Sequence, residues 1–239
     1  MARTSTKSIP RSARPAARED VKSKPRRGAS AGGAAPGTRA QRSAERRKAI
    51  LAAALTEFSA RGFAATRLDD VARRATVAKG TIYLYFADKE TLFQELIRAE
   101  LSPVVGALQL ASHAVVPLRV LTDQLIEIFA REIFETHRKD VMRLVIAEGP
   151  RFPKLAEFYY REVVAHVTVS MRAMLRRAVE RGELASDAFV RFPQLLVAPG
   201  VVAVIWNGLF SRFEPLDVRA LMRAHFDLVL GAGGAGRAA

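Results

Sequence analysis

The chain has 239 residues, a formal net charge of +14 and no cysteine. That length supports one or two domains with a substantial core, and the positive charge points to a polyanionic partner, with nucleic acid as the leading class. The lack of cysteine excludes disulfides, thiolate metal sites and thiol redox sensing, and it fits a reducing cytoplasm.

Residues 1–42 differ in composition from the rest of the chain. They hold eleven Lys or Arg against two acids, and four prolines interrupt any helix. We predict a disordered basic arm that adds salt-sensitive, sequence-independent affinity for DNA. A non-functional extension or a misassigned start codon would have the same composition. Secretion is not expected, because no apolar signal segment is present.

The stretch from Thr66 to Lys89 predicts two short helices joined by a turn. Thr66 and Asp69 have the spacing of a capping box at the first helix. The first helix has one apolar stripe at i, i+3, i+4 and i+7: Leu68, Val71, Ala72 and Ala75. A second, shorter apolar set follows: Val77, Ile82 and Phe86.

Six residues lie between the members of that second set, most of them polar or aromatic: Lys79, Gly80, Thr81, Tyr83, Leu84 and Tyr85. This spacing suits a helix-turn-helix, in which one helix braces another whose outer residues enter the major groove. Lysine attracts phosphate, and threonine and tyrosine hydroxyls can bind phosphate oxygens. A helical hairpin whose polar face meets only water would have the same periodicity.

Residues 43–93 resemble the DNA-binding domain of the tetracycline-repressor (TetR) family, through AILAAALTEFSARGFAATRLDDVARRA and VAKGTIYLYFADKETLF. The resemblance implies that the six residues named above, from Lys79 to Tyr85 without Ile82, face DNA. It also implies phosphate contacts from Lys89 and Thr66. Thr76 stands where the family usually has glycine, which predicts a strained or altered turn. Ala78 stands where serine is common, so one hydroxyl is missing.

Flanking signals set the expected bounds of this head. Ser43 is the predicted N-cap of the first helix, and Gly62 its C-terminal residue. Asp88 is the predicted N-cap of a long helix that Pro103 should kink or split. We therefore expect a DNA-binding domain over 43–88.

The remainder, residues 89–231, reads as helical throughout, followed by a flexible tail over 232–239. A long helix should run to about Arg181 and end at Gly182. The segment RLVIAEGPRFPKLAEFYY resembles the C-terminal domain of the AefR-like subgroup of these regulators. The predicted class is all-α: a three-helix head plus a larger helical domain for ligand binding and dimerisation.

The most apolar segment is LLVAPGVVAVIWNGLF, residues 195–210. It is too short for a membrane span and is interrupted by Pro199-Gly200, so no membrane role is expected. In the family, the last two long helices pack against their copies in a second subunit. Residues 192–212 and 216–230 resemble those helices, which implies a homodimer. Burial in a monomer core is the alternative.

No catalytic pattern is present. The four histidines lack ligand spacing, and the sequence has neither a Gly-rich phosphate loop nor a G-x-S-x-G elbow. We therefore predict no enzyme activity, metal or cofactor. The family resemblance implies an effector pocket in the helical domain, and six residues are candidates, although core packing would explain each: Phe129, Arg143, Phe158, His166, Met171 and Trp206.

The sequence thus predicts a cytoplasmic repressor that binds a palindromic operator in double-stranded DNA and is released by a small apolar or aromatic effector. Three alternatives stay open. They are an activator or accessory protein with the same fold, a non-specific architectural DNA-binding protein, and a small-molecule carrier that ignores DNA.

Overall fold

The protein is described here by a computed structural model covering residues 38–184 and 186–234. These residues contain eleven α-helices, two π-helical segments and no strand, so the predicted all-α class is confirmed. Residues 1–37, most of the predicted basic arm, and 235–239 of the predicted tail lie outside the described residues. The α-helices are α1 Arg39–Ala65, α2 Leu68–Arg74, α3 Lys79–Tyr85, α4 Lys89–Ser112, α5 Leu118–Ile128, α6 Arg138–Glu148, α7 Pro153–Tyr159, α8 Ala165–Glu180, α9 Ala188–Arg191, α10 Gln194–Phe210 and α11 Val218–Gly234.

Helices α1 to α3 pack with the start of α4 around an aromatic centre. The rings of Phe58, Phe63 and Phe93 lie 5.4–5.6 Å apart, centroid to centroid, and all three are buried. Phe152, between α6 and α7, adds a ring 4.9 Å from Phe63. This core is therefore continuous from the head into the larger domain.

The first helix starts earlier than predicted. Its N-cap is Thr38, whose side chain accepts a hydrogen bond from the Gln41 backbone N–H while the Gln41 side chain accepts one from the Thr38 N–H. Ser43 lies inside the helix, so its prediction as N-cap is wrong. At the other end Gly62 has φ +76°, as expected for a residue that ends the regular helix.

The capping box predicted at Thr66 is also wrong. Thr66 is buried, and its hydroxyl lies within hydrogen-bonding distance of the carbonyl oxygens of Gly62 (2.8 Å) and Glu57 (3.1 Å). The hydroxyl binds these carbonyls of α1 instead of capping α2. The N-cap of α2 is Arg67, which makes no side-chain capping bond.

The turn between α2 and α3 carries the predicted strain. Thr76 has φ +56°, a left-handed conformation that costs a β-branched residue about 1–2 kcal/mol. Ala78 is the N-cap of α3 and provides no side-chain hydrogen bond, as its sequence predicted. The turn is nonetheless tight enough to place α3 across α2.

Helix α4 connects the head to the rest of the protein. Asp88 caps it, accepting from the Thr91 N–H at 2.6 Å, and this bond lowers the pKa of the Asp88 carboxyl. The helix continues through Pro103, so the predicted split there does not occur. Its first turns are buried in the head core, while Leu108 belongs to a second core formed mainly with α5, α8, α10 and α11.

Two π-helical segments interrupt the larger domain, and neither was predicted. Phe129–Phe134 continues α5, and Tyr160–Val164 joins α7 to α8. Gly182, at φ +72°, follows the end of α8, as expected. Helix α11 extends to Gly234, so the predicted tail begins later than residue 232. No helix of the described residues has the length and apolarity to span a membrane.

Candidate DNA-binding face and effector cavity

Helix α3 has one buried apolar side and one side exposed to solvent. Ile82 is fully buried against the head core, and Phe86 follows it at the end of the helix. On the opposite side Tyr83 is 49% exposed and Leu84 is 84% exposed. Gly80 is also exposed, with no atom within 4 Å of the position its Cβ would take. This side of α3 therefore presents an aromatic and an apolar side chain to solvent beside the exposed Lys79 and Gly80.

Lys79 opens the exposed face with its amine already paired. Its Nζ donates to Asp69 Oδ2 at 2.7 Å, and this bond raises the pKa of the lysine. The pair lies in solvent, so it is weak. Asp69, which the sequence assigned to a capping box, instead orients Lys79.

The other four residues predicted to contact DNA are less exposed or are already hydrogen-bonded within the head. Thr81 is half-buried. The Tyr85 hydroxyl lies 3.1 Å from Ser43 Oγ on α1. Lys89 donates to the Ala64 carbonyl at 2.9 Å, and burial lowers its pKa. Thr66 is internal. The structure thus places Lys79, Gly80, Tyr83 and Leu84 on one exposed surface. The other four predicted residues are half-buried or buried in the head: Thr66, Thr81, Tyr85 and Lys89.

A buried carboxylate that the sequence did not reveal holds α2 on α1. Glu57 accepts from Arg74 Nε at 2.6 Å, and Arg61 Nε lies 3.3 Å from its other oxygen. The Arg74 hydrogen bond lowers the pKa of Glu57 in spite of its burial. Glu57 directly precedes Phe58 in an apolar run, and periodicity alone does not indicate that such an acid has partners.

A second buried carboxylate joins the head to the larger domain. Glu148, at the end of α6, accepts from the Phe63 N–H at 3.1 Å. A Cβ at Gly62 would collide with the same carboxylate oxygen, so glycine is needed there for this approach as well as for its φ. The other oxygen, Oε2, has no hydrogen-bond partner among the described residues. Glu148 therefore links the end of α6 directly to the end of α1.

The larger domain contains a partly open cavity of about 320 Å³ between α4, α5, α6, α8, α10 and α11. Its walls include both π-helical segments, through Phe129 and Ile133 on one and Val163 and Val164 on the other. π-Helical turns are rare and are frequent at functional sites. The volume falls at the lower end of the range of small-molecule sites.

Two of the six predicted pocket residues, Phe129 and Met171, line this cavity. Phe158 is buried in the head core, with the Arg98 guanidinium 4.8 Å from its ring centre. His166 is exposed on the surface of α8. Neither Phe158 nor His166 therefore lines this cavity.

Arg143 and Trp206 are also outside the cavity lining. Arg143 donates to the Val204 carbonyl at 3.2 Å, and this bond joins α6 to α10. Its guanidinium also pairs with Asp140 on α6 at 3.0 Å. Trp206 Nε1 donates to the Glu214 carbonyl at 2.8 Å and closes the loop after α10. Both side chains hold neighbouring segments together and do not line the cavity. Sequence analysis missed Tyr159, Thr168 and Gln194, the polar residues that do line the cavity.

One side of α10 carries apolar residues in solvent. Val202 is 50% exposed, Ile205 40% and Leu209 62%, at i, i+3 and i+7 along one helical face. Phe210 and, on α11, Leu228 are exposed as well. The predicted helices over 192–212 and 216–230 thus exist, as α10 and α11, and α10 keeps an apolar face that the described chain leaves uncovered. Among the described residues no cluster of three or more potential metal ligands occurs.

Comparison with known proteins agrees with this architecture. The family model "Bacterial regulatory proteins, tetR family" matches residues 50–96, and "Tetracyclin repressor-like, C-terminal domain" matches residues 121–229. The transcriptional repressor BepR of Brucella suis is 34% identical over 60% of this chain and 71% of its own length. The chain belongs to the TetR family. The match does not distinguish subgroups, so the AefR-like assignment stays a prediction.

Two further regulators resemble about four fifths of the chain. The transcriptional regulator AcrR of Shigella flexneri is 27% identical over 80% of this chain and 90% of its own length. The structure of SmeT from Stenotrophomonas maltophilia bound to triclosan superposes with a TM-score of 0.67 at 20% identity, covering 79% of this chain and 91% of that one. These relatives are regulators, and the structural match shows a shared fold.

Proposed function

We propose that this TetR-family regulator is a repressor that binds a palindromic operator as a homodimer and leaves it when a small apolar effector occupies the cavity. The observation that carries this proposal is the exposed face of α3, with Tyr83 and Leu84 in solvent directly opposite the buried Ile82. That arrangement suits insertion into a major groove. It acts, in this proposal, in the bacterial cytoplasm and not as an enzyme.

The exposed apolar side of α10 supports the dimer. Symmetric pairs bury the same patch on both subunits, and the i, i+3, i+7 spacing of Val202, Ile205 and Leu209 suits a helix packing on its own copy. A dimer would place two α3 helices in successive major grooves, roughly 34–36 Å apart. The operator would then be an inverted repeat.

Contacts through α6 provide a route from the cavity to the head. Met142 and Ile146 line the cavity, and Glu148, on the same helix, binds the Phe63 N–H. An effector that prefers one position of α6 would therefore favour one spacing of the two heads. It can shift that equilibrium only by the difference in its affinity for the two states. The triclosan found in SmeT supports a small, largely apolar effector by analogy.

Footprinting tests the proposed function directly. The full-length protein should protect one short inverted repeat in the DNA upstream of its own gene, and deleting the gene should raise transcription from that promoter. Protection of DNA without sequence preference would instead indicate an architectural protein. A fall in transcription after deletion would indicate an activator.

The basic arm should affect affinity without affecting sequence preference. Removing residues 1–37, which carry nine Lys or Arg, should flatten the slope of log affinity against log salt, because fewer counterions are released per complex. Operator and scrambled DNA should lose affinity by similar factors. Fluorescence anisotropy over a range of salt concentrations measures both slopes, and an unchanged slope rejects a role for the arm in DNA binding.

A further inference from the structure

The cavity walls carry no charge. Of the 23 lining residues, Tyr159, Thr168 and Gln194 are polar, and none is Asp, Glu, Lys, Arg or His. A carboxylate or ammonium group placed among such walls loses its hydration and gains no counter-charge, at a cost of several kcal/mol. The cavity therefore discriminates against charged groups.

Tyr159 is a lining residue of the cavity whose phenol hydroxyl can donate a hydrogen bond. Burial raises the pKa of its phenol to about 12, so the hydroxyl stays protonated at physiological pH. The residue keeps some accessible surface, because it lines the cavity. A buried hydroxyl of this kind favours a partner that accepts a hydrogen bond. Thr168 adds a half-buried hydroxyl on α8, whereas Gln194 is exposed at the rim.

The rest of the cavity wall is apolar and can adapt to the shape of an apolar ligand. Phe129 lies directly against α10, where a Cβ at Gly200 would come within 2.8 Å of its ring. Methionines on three different helices complete the lining: Met142, Met171 and Met222. Unbranched, polarisable methionine side chains adapt to ligands of varied shape.

We propose that the cavity binds an uncharged, largely apolar molecule with one oxygen acceptor, such as a long-chain ketone or ester, whose oxygen accepts a hydrogen bond from the Tyr159 hydroxyl. This inference rests on the proposed role of the cavity as effector site. It defines the chemical class that the site selects, and it excludes fatty-acid carboxylates and quaternary ammonium ions whose charged groups would enter the cavity.

Competition among probes that differ in their polar group tests this selection. The full-length protein is loaded with N-phenylnaphthylamine, a neutral fluorophore, which is then displaced by methyl nonyl ketone, decanoate or decyltrimethylammonium at neutral pH. The ketone should compete at concentrations at least about tenfold lower than either ion, since the ions lose hydration without gaining a partner. Equal competition by the three probes would overturn the proposal.

Two variants localise the effect. Tyr159→Phe should weaken ketone binding by about fivefold to tenfold, the value of one buried hydrogen bond, while dye binding and thermal unfolding stay nearly unchanged. Val201→Trp, which fills the cavity from α10, should abolish dye binding. Its matched control is Val169→Trp, at an exposed position of α8 outside the lining. Unaltered ketone affinity in Tyr159→Phe contradicts the assignment even if Val201→Trp fails to fold.

The result is separable from that of the operator experiment. A protein that footprints an inverted repeat yet takes up no dye keeps its DNA role and refutes the selection argued here. One that prefers the ketone but protects no DNA supports the selection and refutes the repressor.

Discussion

Replacing Tyr83 by alanine should lower operator affinity by about a hundredfold while leaving the fold intact. Tyr83 is 49% exposed on α3 and makes no side-chain hydrogen bond within the described chain, so its loss removes little from the head. A hydrogen bond to a charged group contributes about 1.5–3 kcal/mol, and a dimer would lose two. At 1.4 kcal/mol per tenfold, even the lower figure gives a change of this size.

Gel shifts on the footprinted operator, together with thermal unfolding, measure the two quantities. The control is Tyr160→Ala, another exposed tyrosine, which lies in the second π-helical segment rather than in the head. It should bind operator normally. Full affinity in Tyr83→Ala would show that α3 does not contact DNA through this face. Lys89→Ala is a poorer probe, since Lys89 also holds the Ala64 carbonyl and lies 4.6 Å from the Phe63 ring centre.

Replacing Ile205 by aspartate should dissociate the proposed dimer and thereby abolish high-affinity operator binding. Ile205 lies at the centre of the exposed stripe that runs from Val202 to Leu209 on α10. In a two-fold interface one substitution places two carboxylates near each other, both desolvated and unpaired. Each subunit would then lose a few kcal/mol of association free energy, which is enough to keep a standard-sized interface from forming at the protein concentrations used.

Sedimentation velocity over a range of protein concentrations follows the dissociation. Val169→Asp is the matched control, because Val169 is 66% exposed on α8 and outside the α10 stripe. The control should sediment as the unaltered protein does, and Ile205→Asp as a monomer with a native far-UV spectrum. A variant that stays dimeric would show that the subunit contact lies elsewhere. An unaltered protein that is already monomeric would refute the dimer.

The head was predictable because its signals are local. The stripe ending at Ala75, the buried Ile82 and the cap at Asp88 all depend on spacings of a few residues, and each is found in the structure. Thr66 was misplaced for the opposite reason. Its hydroxyl binds the carbonyls of Glu57 and Gly62 in the preceding helix, and a sequence motif read alone does not include that competition.

The cavity was harder to predict because the helical period changes beside it. Counting at 3.6 residues per turn puts Val163, His166 and Val167 on one inward face. The π-helical segment Tyr160–Val164 takes an extra residue per turn and rotates the faces that follow it. Val163 and Val167 remain at the wall, whereas His166 turns to solvent. Tyr159 was overlooked because a tyrosine in an apolar stripe resembles ordinary core.

Those same widened turns affect how the chain tolerates changes in length. A π-helical turn holds one residue more than an α-helical turn, so deletion of a single residue there can restore regular α-helical bonding instead of breaking it. Deleting Tyr160, whose side chain is exposed, would leave α7 and α8 as one regular rod and turn them relative to each other by roughly 100°. Related proteins could therefore acquire differently shaped binding sites by single-codon insertions and deletions at this position, with the head left unaltered.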